Sequence, residues 1–234
     1  MTLRRALVFG DSQTEGLGGA VAGLLRANGH MADVVTHKGY TTERLVESAK
    51  SELTGSPTGL GAATSYDVVF IFSGGNDARK HRDFGPWVTE LVRMFRPGTV
   101  WWTGPAPQTR IGAMEYARQA WNLPASAGPD YFQGQKAAER EAYNVHLRGQ
   151  VEAAGATYLD LRNAGLGGAD QGAGAFFPDL ADGVHVTGPV AAAGAQWIYD
   201  RYARPGLLLL KKYAVVVPIV GAAALFFAWA RSRR

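Results

Sequence analysis

At 234 residues the chain is long enough for one domain with a substantial core, and its length forces no second. It contains no cysteine, which excludes disulfide staples, thiol nucleophiles and thiolate metal sites together. The formal charge of +4 arises at the end of the chain. Setting aside Lys211, Lys212, Arg231, Arg233 and Arg234 leaves 19 basic against 20 acidic residues, so the body carries no basic footprint for nucleic acid.

The first residues, Met1-Thr2-Leu3-Arg4-Arg5, are basic, but the apolar run Ala6 to Phe9 that follows is too short for the ~7 to 15 apolar residues of a secretory signal. It reads as a first strand, Arg5 to Phe9. Further strands are expected at Ala32 to Thr36, Asp67 to Ser73, Thr99 to Thr103 and Ala156 to Leu161. The run Val68 to Phe72 is continuously apolar, as a strand buried on both faces of a parallel sheet requires.

Helical spacing separates these runs. Val21, Leu24 and Leu25 form one stripe before Asn28-Gly29, and Leu45, Val46, Ala49 and Leu53 form another within Thr42 to Leu53. Trp87, Val88, Leu91, Val92 and Phe95 recur at intervals of three and four until Pro97-Gly98 ends the pattern. A longer charged helix is expected over Gln135 to Ala154, and a last one over Gly188 to Tyr202. Strand and helix in alternation predict a layered α/β domain with helices on both faces of the sheet. Two inserts interrupt the rhythm: Pro105 to Tyr131, rich in aromatic residues and proline, and the Gly/Ala-rich Asn163 to Gly174, read as a surface loop near the strand ends.

The end of the chain differs in kind. Tyr213 to Ala230 is 18 residues without a charge, between Lys211-Lys212 and Arg231-Ser232-Arg233-Arg234. As a helix it would extend roughly 27 Å, near the ~30 Å hydrocarbon thickness of a bilayer, with Tyr213 and Trp229 at interfacial depth. A single-pass C-terminal anchor is therefore expected over about 213–230, with the membrane as a partner and a membrane-associated location. The alternative is a buried or oligomer-packing helix.

Four short stretches carry the candidate chemistry. Ser12 follows the first strand in Gly10-Asp11-Ser12, at the strand edge where parallel α/β sheets bind ligands. It could serve as a nucleophile; equally, Asp11 or Ser12 could cap the next helix with Glu15 completing a capping box. His185 is the strongest base candidate, and Asp182, three residues before it, could hold its other ring nitrogen. Asn76 in Gly74-Gly75-Asn76-Asp77 offers an amide donor to a developing oxyanion, and Gly39 could add a backbone donor, although either site alone could be an ordinary turn. Of the other histidines, His30, His81 and His146 lie in or beside helical or charged stretches, while His37, near Gly39, is a candidate for the pocket rim.

These blocks, in this order, resemble the SGNH/GDSL hydrolase superfamily of esterases and lipases. Ser12 within Gly10 to Gly16 matches the nucleophile block, Gly39 with Thr41 or Thr42 the glycine block, Asn76 the asparagine block, and Asp182 with His185 the closing Asp-x-x-His block. The resemblance spans residues 3 to about 203 and implies a three-layer α/β/α, flavodoxin-like fold on a central, mostly parallel five-stranded sheet. It also implies Ser12, Asp182 and His185 as the triad and Ser12, Gly39 and Asn76 as the oxyanion hole, with no cofactor and no metal. The hydrolase domain is thus expected over 1–205, followed by the basic-flanked apolar tail 206–234. The implied activity is serine-dependent hydrolysis of an ester through an acyl-enzyme, on a small-molecule, glycan or lipid substrate: a carbohydrate O-acetyl, a short-chain acyl or a lysophospholipid ester. The competing reading is a catalytically inactive, membrane-tethered binding or structural module on the same fold. A nucleotide site is excluded by the lack of any Gly-x-x-x-x-Gly-Lys-Ser/Thr loop.

Overall fold

In a computed structural model, residues 4–54, 60–80, 84–104, 135–161, 186 and 188–200 are described, with the side chains of 78–80 and 135–141 left aside. The five expected strands form: β1 (Arg5–Gly10), β2 (Met31–Thr36), β3 (Val68–Phe72), β4 (Thr99–Thr103) and β5 (Thr157–Leu159). Between them run α1 (Gly19–Ala27), α2 (Thr42–Glu52), α3 (Gly75–Lys80), α4 (Gly85–Met94) and α5 (Gln135–Ala153), and α6 (Gly188–Ile198) follows β5. The chain divides into two compact units, Met1–Gln196 and Trp197–Arg234.

All strand pairings in the sheet are parallel, in the order β2-β1-β3-β4-β5. Strand alternation sorts the core into two layers. Leu7, Phe9, Val69, Ile71 and Trp102 pack in one cluster with Leu45, Val46 and Ala49 of α2, Val88, Leu91 and Val92 of α4, and Leu147 and Val151 of α5. Val8 and Phe72 point to the other face, where a Cβ on Gly18, at the entrance to α1, would meet both. The sheet therefore has helices on both sides, the three-layer arrangement the sequence led us to expect.

Strand order reverses between β1 and β3. The connection after β1 leaves for one face and that after β3 for the other, opening a crevice at the carboxyl ends of these two strands. Ser12 and Asn76 both belong to that edge. The opposite edge is a structural tie, in which Arg5 donates through Nε and Nη2 to Asp33 Oδ2 at 3.1 and 2.8 Å, and the Tyr66 hydroxyl donates to the same oxygen at 2.9 Å. Burial, and then that hydrogen bond, push the Tyr66 hydroxyl up to about 12.

The membrane expectation is corrected. Among the described residues no helix is long and apolar enough to cross a membrane, so a transmembrane helix, the membrane as a partner and a single-pass anchored location are not supported. The run 213–230 itself lies outside the described residues, as do the inserts at 105–131 and 163–174. Lack of charge only removes one obstacle to a span, which also needs a continuous helix of about 20 residues to satisfy its own backbone in lipid. The longest described helix, α5, carries Lys136, Glu139, Arg140, Glu141, Arg148 and Glu152 and cannot span.

Candidate active site

The end of β1 passes so close to β3 that only glycine fits. A Cβ on Gly10 would stand 2.1 Å from the Phe72 carbonyl oxygen, and Gly10 holds φ at +155°. That carbonyl accepts the Asp11 N–H at 2.8 Å, so the register of β1 on β3 continues into the loop. Asp11 is buried, and its Oδ1 accepts the Gln13 N–H at 3.0 Å in an Asx turn. Asp11 therefore satisfies the turn, whereas Glu15 pairs with Lys38 at 2.9 Å instead of closing a capping box. Ser12, half-buried, opens the turn, and a π-helical stretch, Thr14–Gly18, leads into α1. Single π turns inside helices recur at functional sites.

The loop after β2 is a four-residue turn. The Tyr40 N–H returns to the His37 carbonyl at 3.2 Å, and Gly39, third in the turn, has φ +74°, the sign a type II turn requires there. Space around Gly39 is open: a Cβ there would meet nothing within 4 Å. The loop after β3 turns at Gly74, with φ +121°, and α3 begins at once with Gly75. Gly74-Gly75-Asn76-Asp77 is therefore a one-residue turn and a helix start, where the sequence suggested only a tight turn.

Asn76 joins the three loops. Its Nδ2 donates to the Tyr40 carbonyl at 3.0 Å and to Asp11 Oδ2 at 3.4 Å, reaching the residue beside Ser12 and the residue beside Gly39. The shorter contact holds the amide; the longer is near the limit of a hydrogen bond and is readily exchanged for a better acceptor.

Asp77 was not singled out as a site residue by sequence, yet it underpins the arrangement. It is buried, and its carboxylate accepts the Thr42 N–H at 3.1 and 3.0 Å and the Thr42 hydroxyl at 2.9 Å. With its own hydrogen given to Asp77, Thr42 Oγ1 accepts from Ser73 Oγ at 3.1 Å. The carboxylate thus caps the first turn of α2 from a neighbouring element, where a helix N-terminus favours negative charge. The sequence signal was available in principle: Thr42 opens a helix whose first N–H needs an acceptor. Asp77→Ala should remove the acceptor of both Thr42 donors and cost about 2–4 kcal/mol. Thermal unfolding would show this as a fall of about 4–16 °C for a unit of this size, with Asp77→Asn losing less because one acceptor oxygen remains.

Asp182 and His185 lie outside the described residues. Val186, the next residue, is described: it is buried, and its N–H donates to Gln13 Oε1 at 3.2 Å. The position after His185 is thereby bonded to the position after Ser12 across 173 residues of sequence. Nothing in the sequence marked Gln13 for this. His146 packs against the Phe84 ring at 5.2 Å, and His81 lies outside the described residues. The rim candidate His37 is engaged by α2: its Nε2 lies 2.6 Å from Ser48 Oγ and 3.3 Å from Glu52 Oε2.

Comparison with known proteins agrees with this architecture. Residues 8–193 match the GDSL-like Lipase/Acylhydrolase family, so the match takes in the Ser12, Gly39, Asn76, Asp182 and His185 positions. Among solved structures the chain is similar to a GDSL-like protein from Parabacteroides merdae (16% identity, covering 85% of this chain and 96% of that one, TM-score 0.54). It is also similar to a carbohydrate esterase family 3 protein from Talaromyces cellulolyticus (19% identity, 90% and 99%, TM-score 0.52). A third is the C-terminal catalytic domain of peptidoglycan O-acetyltransferase A from Streptococcus pneumoniae (14% identity, 85% and 92%, TM-score 0.50). At these identities the likeness is one of fold. No curated relative matches the sequence.

Proposed function

The chain belongs to the GDSL-like Lipase/Acylhydrolase family, and from that premise we propose that it cleaves its ester through an acyl-enzyme on Ser12. Its activity class is carboxylic-ester hydrolysis. The observation that carries the finer reading is the Asn76 amide, bonded to Asp11 on one side and to the Tyr40 carbonyl on the other, which gathers the Ser12, Gly39 and Asn76 loops at the switch point of the sheet. Ser12 Oγ attacks the ester carbonyl while His185 takes its proton, with Asp182 orienting the imidazole. The oxyanion receives the Ser12 and Gly39 backbone N–H groups and one Asn76 amide hydrogen, exchanged from its 3.4 Å contact with Asp11. His185 then protonates the departing alcohol, and water releases the acyl group by the same steps in reverse. The bond from Gln13 to Val186 supports the approach of the His185 segment to Ser12.

The substrate is proposed to be a carbohydrate O-acetyl, short-chain acyl or lysophospholipid ester. Hydrolysis of p-nitrophenyl acetate, butyrate and octanoate, of acetylated xylan and of lysophosphatidylcholine by the full chain separates these classes by rate. Turnover of none of them would favour the inactive module. Asn76→Ala should lower kcat on the preferred ester by about 100- to 1000-fold, as loss of one oxyanion donor does elsewhere. An unchanged kcat would remove Asn76 from the oxyanion hole.

A further inference from the structure

A Cβ on Gly39 would meet nothing within 4 Å, so no side chain at that residue can anchor the turn. Its position must be set by its neighbours. Resting on the reading of Gly39 and Asn76 as oxyanion donors, we infer that His37 is a positioning residue that fixes this turn to α2 through Ser48 and Glu52.

The hydrogen bonds assign the protons. The buried Ser48 hydroxyl donates its single hydrogen to Glu52 Oε1 at 2.7 Å, so at the 2.6 Å contact with His37 it can only accept. His37 Nε2 therefore carries a proton, and it also lies 3.3 Å from Glu52 Oε2. Ser48 and Glu52 engage the same ring nitrogen. A proton relay from serine to acid needs both nitrogens, so the trio is an anchor and not a second triad.

From this anchor the contacts lead to the oxyanion donors. The His37 ring stacks on Tyr40 with centroids 4.8 Å apart and planes at 14°, and meets the edge of Phe9 at 5.9 Å. The Arg44 guanidinium also lies over the Tyr40 ring, at 4.6 Å. The Tyr40 carbonyl holds Asn76 Nδ2 at 3.0 Å. The backbone of His37 closes the loop, its N–H donating to the Gly10 carbonyl at 2.9 Å and its carbonyl accepting the Tyr40 N–H at 3.2 Å. One residue thus links α2, the end of β1, the Gly39 turn and the acceptor that orients Asn76.

The test is p-nitrophenyl acetate kinetics on the full chain for His37→Ala, His37→Gln, Asn76→Ala and the His37→Ala/Asn76→Ala double variant. A misplaced donor costs up to about 100-fold, so His37→Ala should lower kcat by about 10- to 100-fold with little change in KM. His37→Gln, which restores an N–H donor towards Ser48, should recover most of that loss. Because both residues act on one oxyanion hole, the double variant should be scarcely slower than Asn76→Ala alone. Fully multiplicative losses, a glutamine as slow as alanine, or an effect on KM alone would overturn the inference while a slow Asn76→Ala left the oxyanion reading standing. An unimpaired Asn76→Ala would overturn both. Should His37→Ala fail to fold, Ser48→Ala, which removes only the hydroxyl, is judged by the same criteria.

Discussion

Ser12→Ala is expected to lower kcat/KM on the preferred ester by about 10⁴- to 10⁶-fold, the loss that follows removal of a serine nucleophile whose oxyanion donors stay in place. Folding should be nearly untouched. Ser12 is half-buried, and the turn it opens is held by the Asp11 carboxylate on the Gln13 N–H and by the Asp11 N–H on the Phe72 carbonyl. The unfolding midpoint should thus stay within a few degrees of the parent, as for substitutions outside the core. A fluorophosphonate should add one phosphonyl group to the parent and none to the variant, read by intact mass. Hydrolysis at the parental rate by Ser12→Ala would sink the acyl-enzyme, whatever the ester.

The difference between a nucleophile and a helix cap could not be resolved from Gly10-Asp11-Ser12 alone, because both need a small polar residue at a strand-to-helix turn. In the structure the Asp11 carboxylate takes the Gln13 N–H and Glu15 pairs with Lys38, so the capping box is not formed, and the nucleophile role of Ser12 is the proposal that the Ser12→Ala result tests. The strands were legible because their signal is local: Val69 to Phe72 are buried on both faces, and the run of apolar residues says so directly. What the sequence hid depends on distant partners. Asp77 caps a helix 35 residues earlier, Gln13 holds the amide of Val186, and the His37 ring is bonded to Ser48 of α2. None of these pairings leaves a period or spacing to read. The expected span rested on absence of charge, which is local and visible, whereas among the described residues no helix is long and apolar enough to cross a membrane, and the run 213–230 itself lies outside them.

Gly10→Ala should be the most destabilising small substitution at the site. The added Cβ would lie 2.1 Å from the Phe72 carbonyl oxygen, 2.8 Å from its carbon and 2.9 Å from its nitrogen, all backbone atoms of a buried central strand that cannot rotate away. Relief requires β1 and β3 to part where Gly10 pairs with Phe72, which weakens the bond from the Asp11 N–H to the same carbonyl. Overpacking and the strain of φ +155° in a residue with a Cβ together cost about 3–5 kcal/mol. For a unit of this size that is a fall of about 6–20 °C in the midpoint of thermal unfolding. Activity should fall as well, even well below that midpoint, because Ser12 sits two residues beyond the displaced atom and a nucleophile moved by about 1 Å loses up to about 100-fold in rate. Gly23→Ala is the control: it lies in α1 with nothing within 4 Å of an added Cβ, and replacing a helical glycine there should stabilise by about 0.5–1 kcal/mol. If Gly10→Ala melted with the parent and kept its kcat, β1 and β3 would not approach this closely, and the crevice that brings Ser12 to Asn76 would have to be built differently.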